Sequence, residues 1–197
     1  MSMRKIRMQD LRFAKPKDCQ AMLDIYAPYV CDTAISFEEE IPALESFQEK
    51  FSKISFLYPW LVLERNGQTI GYAYACAHRE RSAYRFSCET SVYVDQNHHG
   101  QGIGSSLYQA LFALLQAQGY CQVFAGVTQP NPASHEIHRS FGFVPIGTYQ
   151  NIGYKFEAWH DVRWYQKELS VHSVMSSPIP ISKLDQKIID QCLLGHM

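Results

Sequence analysis

The run His98-His99-Gly100-Gln101-Gly102-Ile103-Gly104-Ser105-Ser106 has the make-up of an anion cradle. It falls between a stretch that alternates like a strand, residues 85–95, and one whose apolar residues recur at helical spacing, residues 105–118. At such a junction backbone N–H groups without an intrahelical partner converge, and the helix end carries about half a positive charge. Glycines let the chain come close to a pyrophosphate. Three glycines also make an ordinary tight turn, so the trio does not decide alone. Two nucleotide signatures do not fit: no Gly-Lys-Ser/Thr follows, and the acid that a dinucleotide site places about 20 residues later is missing. What remains is the pyrophosphate of coenzyme A. From Gln96 to His135 the chain has no Lys, Arg, Asp or Glu, so backbone dipoles would meet the charge, helped only by the two histidines.

Other reactive side chains are less telling. His135 and His138 stand three apart on a helical stretch without a third ligand, so no metal site is expected. The cysteines Cys19, Cys31, Cys76, Cys88, Cys121 and Cys192 include no Cys-x-x-Cys pair and read as reduced thiols, neither a disulfide framework nor a zinc site.

The elements that must position these residues form one domain. The chain has 197 residues, 46% of them hydrophobic, enough for a sizeable core. Its 18 Lys+Arg against 19 Asp+Glu leave a net charge of −1, without the basic footprint for nucleic acid or an anionic membrane surface. The run Ala110 to Leu115 is the longest unbroken apolar one in mid-chain, far short of the roughly 20 residues a membrane span needs. The start of the chain interleaves charged and apolar residues, unlike a secretory signal, so the expected location is cytoplasmic.

Residues 5–13 alternate, and after Pro16-Lys17-Asp18 the residues Ala21, Met22, Ile25 and Tyr29 predict a helix. A second helix is expected from Pro42, with Leu44, Phe47 and Phe51 on one side, and residues 33–40 form the loop between them. Residues 60–64 and 69–75 flank Arg65-Asn66-Gly67-Gln68, a tight hairpin. Residues 85–95 make the next strand, 105–118 a helix closed by Gly119, and 120–127 a strand. Two apolar stripes on residues 105–118 predict a helix buried on both sides. Residues 134–141 suit a short helix with Ser134 as N-cap and Gly142 as its stop, followed by strands near 145–152 and 161–169. The order β-α-α-β-β-β-α-β-α-β-β implies a mixed sheet with packed helices. Residues 171–180 read as a Ser/Pro linker, and Ser182 to Asp185 has capping-box spelling ahead of a last short helix.

Several segments together resemble the GNAT N-acetyltransferases, and among them the phosphinothricin and methionine sulfoximine acetyltransferases. They are Ala34-Ile-Ser-Phe37-Glu38, His78-Arg79-Glu-Arg81-Ser-Ala-Tyr84-Arg85, Cys88-Glu89-Thr-Ser-Val92-Tyr93-Val94, the glycine turn, Asn131-Pro-Ala-Ser134, His138-Arg-Ser-Phe-Gly142-Phe143 and Gly153-Tyr-Lys155-Phe156-Glu-Ala-Trp159-His160-Asp161-Val162. The resemblance runs from about Leu11 to Leu169. It implies an α/β (α+β) GNAT fold, a mixed, mostly antiparallel twisted sheet with helices on both faces, over residues 5–169, with residues 170–197 as a tail.

The resemblance also implies acetyl-CoA as cosubstrate, no metal, a small-molecule amine as acceptor, and a homodimer. His99, Gly100, Gln101, Gly102, Ile103, Gly104, Ser105 and Ser106 would cradle the pyrophosphate, the backbones of Val92 and Val94 would hold the pantetheine, and Asn131 and Ser134 would touch the same arm. The family usually has Arg or Gln where this chain has His99, and often a base where it has Gln101, which implies weaker cofactor binding. Glu89 would be the general base and His138 the acid for the leaving sulfur, with the Val92 N–H facing the oxyanion. Without the resemblance, a strand glutamate reads as a solvated surface residue. Arg79 and Arg81 would bind the acceptor's carboxylate, and Phe37, Tyr84 and Lys155 would shape the rest of the pocket.

Overall fold

The structure, a computed structural model, describes residues 11–170 and 176–195; the first part of the expected N-terminal strand, residues 5–10, lies outside them, as does half of the expected linker. The elements are β1 (Leu11–Phe13), α1 (Cys19–Cys31), α2 (Leu44–Ser55), β2 (Trp60–Arg65), β3 (Gln68–Ala77), β4 (Ser87–Val94), α3 (Ile103–Gln118), β5 (Gln122–Thr128), α4 (Pro132–Ser140), β6 (Val144–Lys155), β7 (Ala158–Glu168) and α5 (Gln186–Leu194). The sheet has the order β1-β2-β3-β4-β5-β7-β6. Every neighbouring pair is antiparallel except β4 and β5.

Local chemistry explains several of these elements. Asn66 and Gly67 both take positive φ, 54° and 78°, the pair of angles that matches a two-residue turn to the twist of β2 and β3. Strand β3 is buried without a break from Thr69 to Ala75 because helices cover both its faces. On one side Tyr72 and Tyr74 join Trp60, Phe47, Phe51 and Met22 under α1 and α2. On the other, Ile70, Ala73 and Ala75 meet α3, whose Leu107, Leu111, Leu114 and Leu115 are fully buried. Each such leucine contributes about 1.5–3 kcal/mol. Gly71 sets how close α3 lies: a Cβ there would sit 2.8 Å from Ile103 and 3.3 Å from Leu107.

The outer face of α3 is covered by the chain's end. Gln118 donates to the carbonyls of Leu57 and Ile179 at 2.9 and 2.8 Å, and Ile181, Leu184, Ile189 and Cys192 join the α3 core. The twice-apolar helix is therefore satisfied within the chain.

Some boundaries differ from those read in the sequence. The chain is still extended at Ala43 (ψ 146°), so α2 begins at Leu44 and not at Pro42. Helix α4 is capped by Asn131, whose side chain accepts from Ser134 N, with Pro132 following at the position where a missing N–H costs nothing; Ser134 lies inside the first turn. Asp185, which accepts from Lys187 N, caps α5 in place of Ser182. A 3₁₀ turn at Ser82–Tyr84 delays β4 to Ser87, and α3 starts at Ile103 behind a left-handed Gly102. Strand β5 begins at Gln122, while β6 and β7 pair out to Lys155 and Ala158, longer on the turn side than alternation alone suggests.

Candidate active site

The site is built where β4 and β5 part. Their parallel ladder holds for Ser87–Gln122, Cys88–Val123 and Glu89–Phe124, and the register ends there. Asp95 N bonds Ile70 O. Because antiparallel pairs alternate in the side to which they bond, Glu89, Ser91 and Tyr93 present their N–H and C=O to β3. Those of Thr90, Val92 and Val94 face the gap. Thr90, Ser91, Val92, Gly126, Asn131 and His138 line the resulting cleft. It leads to the N-terminus of α3.

There Gly100 and Gly102 take φ of 72° and 79°, angles that a side chain would strain, and Gly104 packs so closely that an added Cβ would meet Ile137 at 3.0 Å. The first N–H groups of α3 point out of the turn without a side-chain cap. This open strand edge and uncapped helix end fit an amide-bearing arm with a pyrophosphate, the shape of coenzyme A.

The side chains of the turn work differently from their sequence reading. His99 Nε2 is 3.1 Å from Val94 O, an acceptor that Tyr29 also reaches at 2.6 Å, so the imidazole turns toward the strand. Val94 thus keeps its N–H, not its carbonyl, for a ligand. Gln101 accepts from Arg65 Nη1 at 2.6 Å. The β2–β3 hairpin thereby brings to the turn a positive charge that the local sequence lacks, a contact no spacing rule between residues 65 and 101 could reveal.

On the α3 side of the cleft, His138 is only 3% exposed. Its Nδ1 lies 2.6 Å from the Ser134 carbonyl, which can only accept, so that nitrogen carries a proton. Nε2 faces the Tyr108 hydroxyl at 3.2 Å. Burial lowers the His138 pKa, partly offset by the Ser134 carbonyl, and burial raises that of Tyr108.

On the α1–α2 side, Glu89 Oε1 meets His78 Nδ1 at 2.8 Å and Arg79 Nη1 at 3.5 Å. Arg79, Arg81 and Tyr84 line an open basin of about 570 Å³ with Ala77, His78 and Glu80. His78 is the residue the sequence reading passed over; its partner becomes visible only when the β3–β4 register sets Ala77 opposite Cys88 and Cys76 opposite Glu89. The Cys76 thiol, raised to about 11 by burial with Glu89 adding to it, and that of Cys88, also raised well above its ordinary value by burial, stay protonated and are poor nucleophiles.

Lys155 does not bring a charge to the acceptor pocket. It is 6% exposed, and its ammonium donates to the carbonyls of Val30, Ser36 and Glu38 at 2.6, 2.8 and 2.7 Å, which uses all three N–H bonds. It pins the α1–α2 loop to β6. Phe37 of that loop lies over Gly153, where any side chain would overlap its ring, and near His160. Ile35 of the same loop lines the cleft. Among the described residues, no group of three or more His, Cys, Asp or Glu could hold a metal ion, and no helix is long and apolar enough to cross a membrane.

Residues 11–164 match the family model described as an acetyltransferase (GNAT) domain. The chain belongs to the GNAT acetyltransferases, and it uses acetyl-CoA. It is 32% identical to the phosphinothricin N-acetyltransferase of Streptomyces viridochromogenes, over 90% of this chain and 97% of that one. It is also 32% identical to the L-methionine sulfoximine/L-methionine sulfone acetyltransferase of Salmonella typhimurium, over 83% and 96%. The crystal structure of a GNAT superfamily phosphinothricin acetyltransferase from Sinorhizobium meliloti with acetyl-CoA superimposes with a TM-score of 0.81 at 32% identity, covering 88% of this chain and 96% of that one. Within the family the chain is closely related to the phosphinothricin and methionine sulfoximine acetyltransferases.

Proposed function

We propose that the acceptor is the α-amine of a small amino-acid analogue of the phosphinothricin, methionine sulfoximine or methionine sulfone type. The observation that carries this reading is the Glu89 carboxylate 3.5 Å from Arg79, which together with Arg81 lines the adjoining basin. A carboxylate there can strip an ammonium while two guanidiniums hold the acceptor's own carboxylate.

Acetyl-CoA supplies the activated thioester, held by Val92, Val94 and the turn from His99 to Ser106, with Asn131 and Ser134 along the arm. Glu89 takes the ammonium's proton, directly or through a water. The Val92 N–H donates to the oxygen on which negative charge develops. His138, when protonated at Nε2, is the acid for the departing sulfur, and burial makes its imidazolium a ready donor. Tyr108 shares that proton. Phe37 and Tyr84 close the pocket, and Lys155 acts through the loop it pins.

The reading extends to a homodimer. Strand β6 is an edge of the sheet, and Val144, Ile146, Tyr149, Ile152 and Tyr154 along it are all exposed, an apolar edge that a second copy would cover.

The test is release of free thiol from acetyl-CoA against phosphinothricin, methionine sulfoximine, methionine sulfone, ordinary amino acids, polyamines and short peptides. Turnover with the first three supports the proposed acceptor. Turnover confined to peptides or polyamines refutes it in favour of protein N-termini or other amines.

A further inference from the structure

We infer that His78 positions the Glu89 carboxylate and that its own ionisation, through that contact, switches the base on and off with pH. The inference rests on the reading of Glu89 as the base.

The imidazole is fixed on several sides. It stacks on Phe124 of β5, with ring centroids 4.3 Å apart and planes 13° from parallel. Trp164 of β7 meets its edge at 5.8 Å and 73°, and Tyr84 lies across it at 6.4 Å and 76°. With 13% of the side chain exposed, the ring has little rotamer freedom left, and Nδ1 is held 2.8 Å from Glu89 Oε1.

The direction of the bond follows from chemistry. An ionised carboxylate has no proton to give, so Nδ1 donates. Oε1 is then occupied by His78 and, more loosely, by Arg79, and Oε2 is the oxygen left for the acceptor ammonium or a bridging water. Nε2 is the nitrogen that carries no proton in the neutral ring. Neutral His78 orients the carboxylate without neutralising it. Once Nε2 gains a proton, a full positive charge faces Glu89, its affinity for the substrate's proton falls, and the base is quenched.

The ionisable groups nearby are Arg79, Glu80 and Arg81 on the same segment, Tyr84 on the turn at Ser82–Tyr84, Cys76 on β3 and Glu89 on β4; β5 and β7 present Phe124 and Trp164, which do not ionise. A phenylalanine would fill the stack equally well, so packing alone does not call for an imidazole here.

The experiment is the pH dependence of kcat/KM for the amine, at saturating acetyl-CoA, for the unaltered chain, His78→Phe, His78→Gln and Glu89→Gln. His78→Phe keeps the stack but loses the donor. Its rate near neutrality should fall about tenfold, the worth of one charge-assisted hydrogen bond. Its acid limb should move to lower pH, because the positive charge that quenches Glu89 can no longer form. His78→Gln restores a donor, so it should recover the rate to within about threefold while keeping the displaced limb. An acid limb that stays in place in both variants overturns the inference. Glu89→Gln separates the two readings: near-normal turnover removes Glu89 as the base, whereas an inactive Glu89→Gln with an unmoved limb in the His78 variants removes only the role of His78. The acetyl-CoA KM of each variant reports folding. If His78→Phe fails to fold, the NMR titration of His78 with and without Glu89→Gln decides: a titration indifferent to Glu89 refutes the coupling.

Discussion

Replacing Lys155 by methionine keeps most of the stem's volume and removes the ammonium that hydrogen-bonds the α1–α2 loop to β6. The ammonium makes three hydrogen bonds of 2.6 to 2.8 Å, all to carbonyls and all within the loop or the end of α1. A hydrogen bond to a charged group contributes about 1.5–3 kcal/mol, which sets an upper bound of roughly 4.5–9 kcal/mol for the set. Two effects reduce it. Removing the ammonium also removes the cost of burying a charge, several kcal/mol, and the Ser36 and Glu38 carbonyls regain water once the loop lifts. A net loss of about 2–3 kcal/mol remains, and it falls on loop docking instead of the sheet, which shifts the docked-to-lifted ratio by about 30- to 150-fold. Ile35 and Phe37 leave with the loop. The expected result is a rise of about tenfold or more in the KM of the amine and a clearly smaller one in that of acetyl-CoA, which loses Ile35 from its cleft but keeps the strand edge and helix end. Steady-state kinetics with each substrate varied in turn measures this, and hydrogen exchange over residues 32–43 should show protection lost there while β3 and β4 keep theirs. Equal changes in both KM values, or a lowered melting temperature with unchanged kinetics, would refute the clamp.

Arg81→Ala should raise the KM of an α-amino acid far more than that of acetyl-CoA; equal effects would rule out a carboxylate clamp. Asn131→Ala removes the cap that bonds Ser134 N at 3.0 Å and should cost about 1 kcal/mol, read in chemical denaturation, with kcat falling because Ser134 O holds the His138 ring. Arg12→Met tests the ion pairs of Arg12 with Asp18 and Glu64, whose pKa values the Arg12 hydrogen bonds lower from their ordinary 3.8 and 4.5. Depressed carboxylates contribute stability that is full above those ordinary values and is lost as pH falls through the folded ones, so the variant's deficit, about 1–2 kcal/mol at pH 7, should shrink below pH 4 in acid-melting curves. Ile146→Glu with Ile152→Glu should convert a dimer to a monomer in sedimentation velocity; an unchanged sedimentation coefficient would move the interface elsewhere or remove it.

Much of the fold was legible because its signals are local. Asn66-Gly67 dictates its hairpin through two neighbouring backbone angles, and the turn at Gly100 and Gly102 announces itself between an alternating and a helical stretch. The candidates Glu89 and His138 came from the resemblance, and the register puts Glu89 on the face of β4 opposite to that of Thr90. What stayed hidden depends on pairs far apart in sequence. The Lys155 ammonium meets carbonyls 117 to 125 residues away, whereas the resemblance implied only that Lys155 shapes the pocket. His78, just past the end of β3, and Glu89 on β4 stand 11 apart, and only the β3–β4 register brings them into contact. The Asn131 cap was masked by Ser134, an equally good capping residue three positions later, and Pro132 was the local clue that distinguished them.

On the proposed reading, the parting of β4 from β5 divides the protein's recognition into two scripts. The donor side is written in main-chain amides and glycine angles, which most substitutions leave unaltered. The acceptor side is written in the side chains of Glu89, Arg79 and Arg81 and in a loop that Lys155 helps to hold, each replaceable by a single codon change. A lineage built on this plan can exchange one amine for another while its grip on the acyl donor is carried forward intact, so acceptor preference is free to drift much faster than the chemistry it serves.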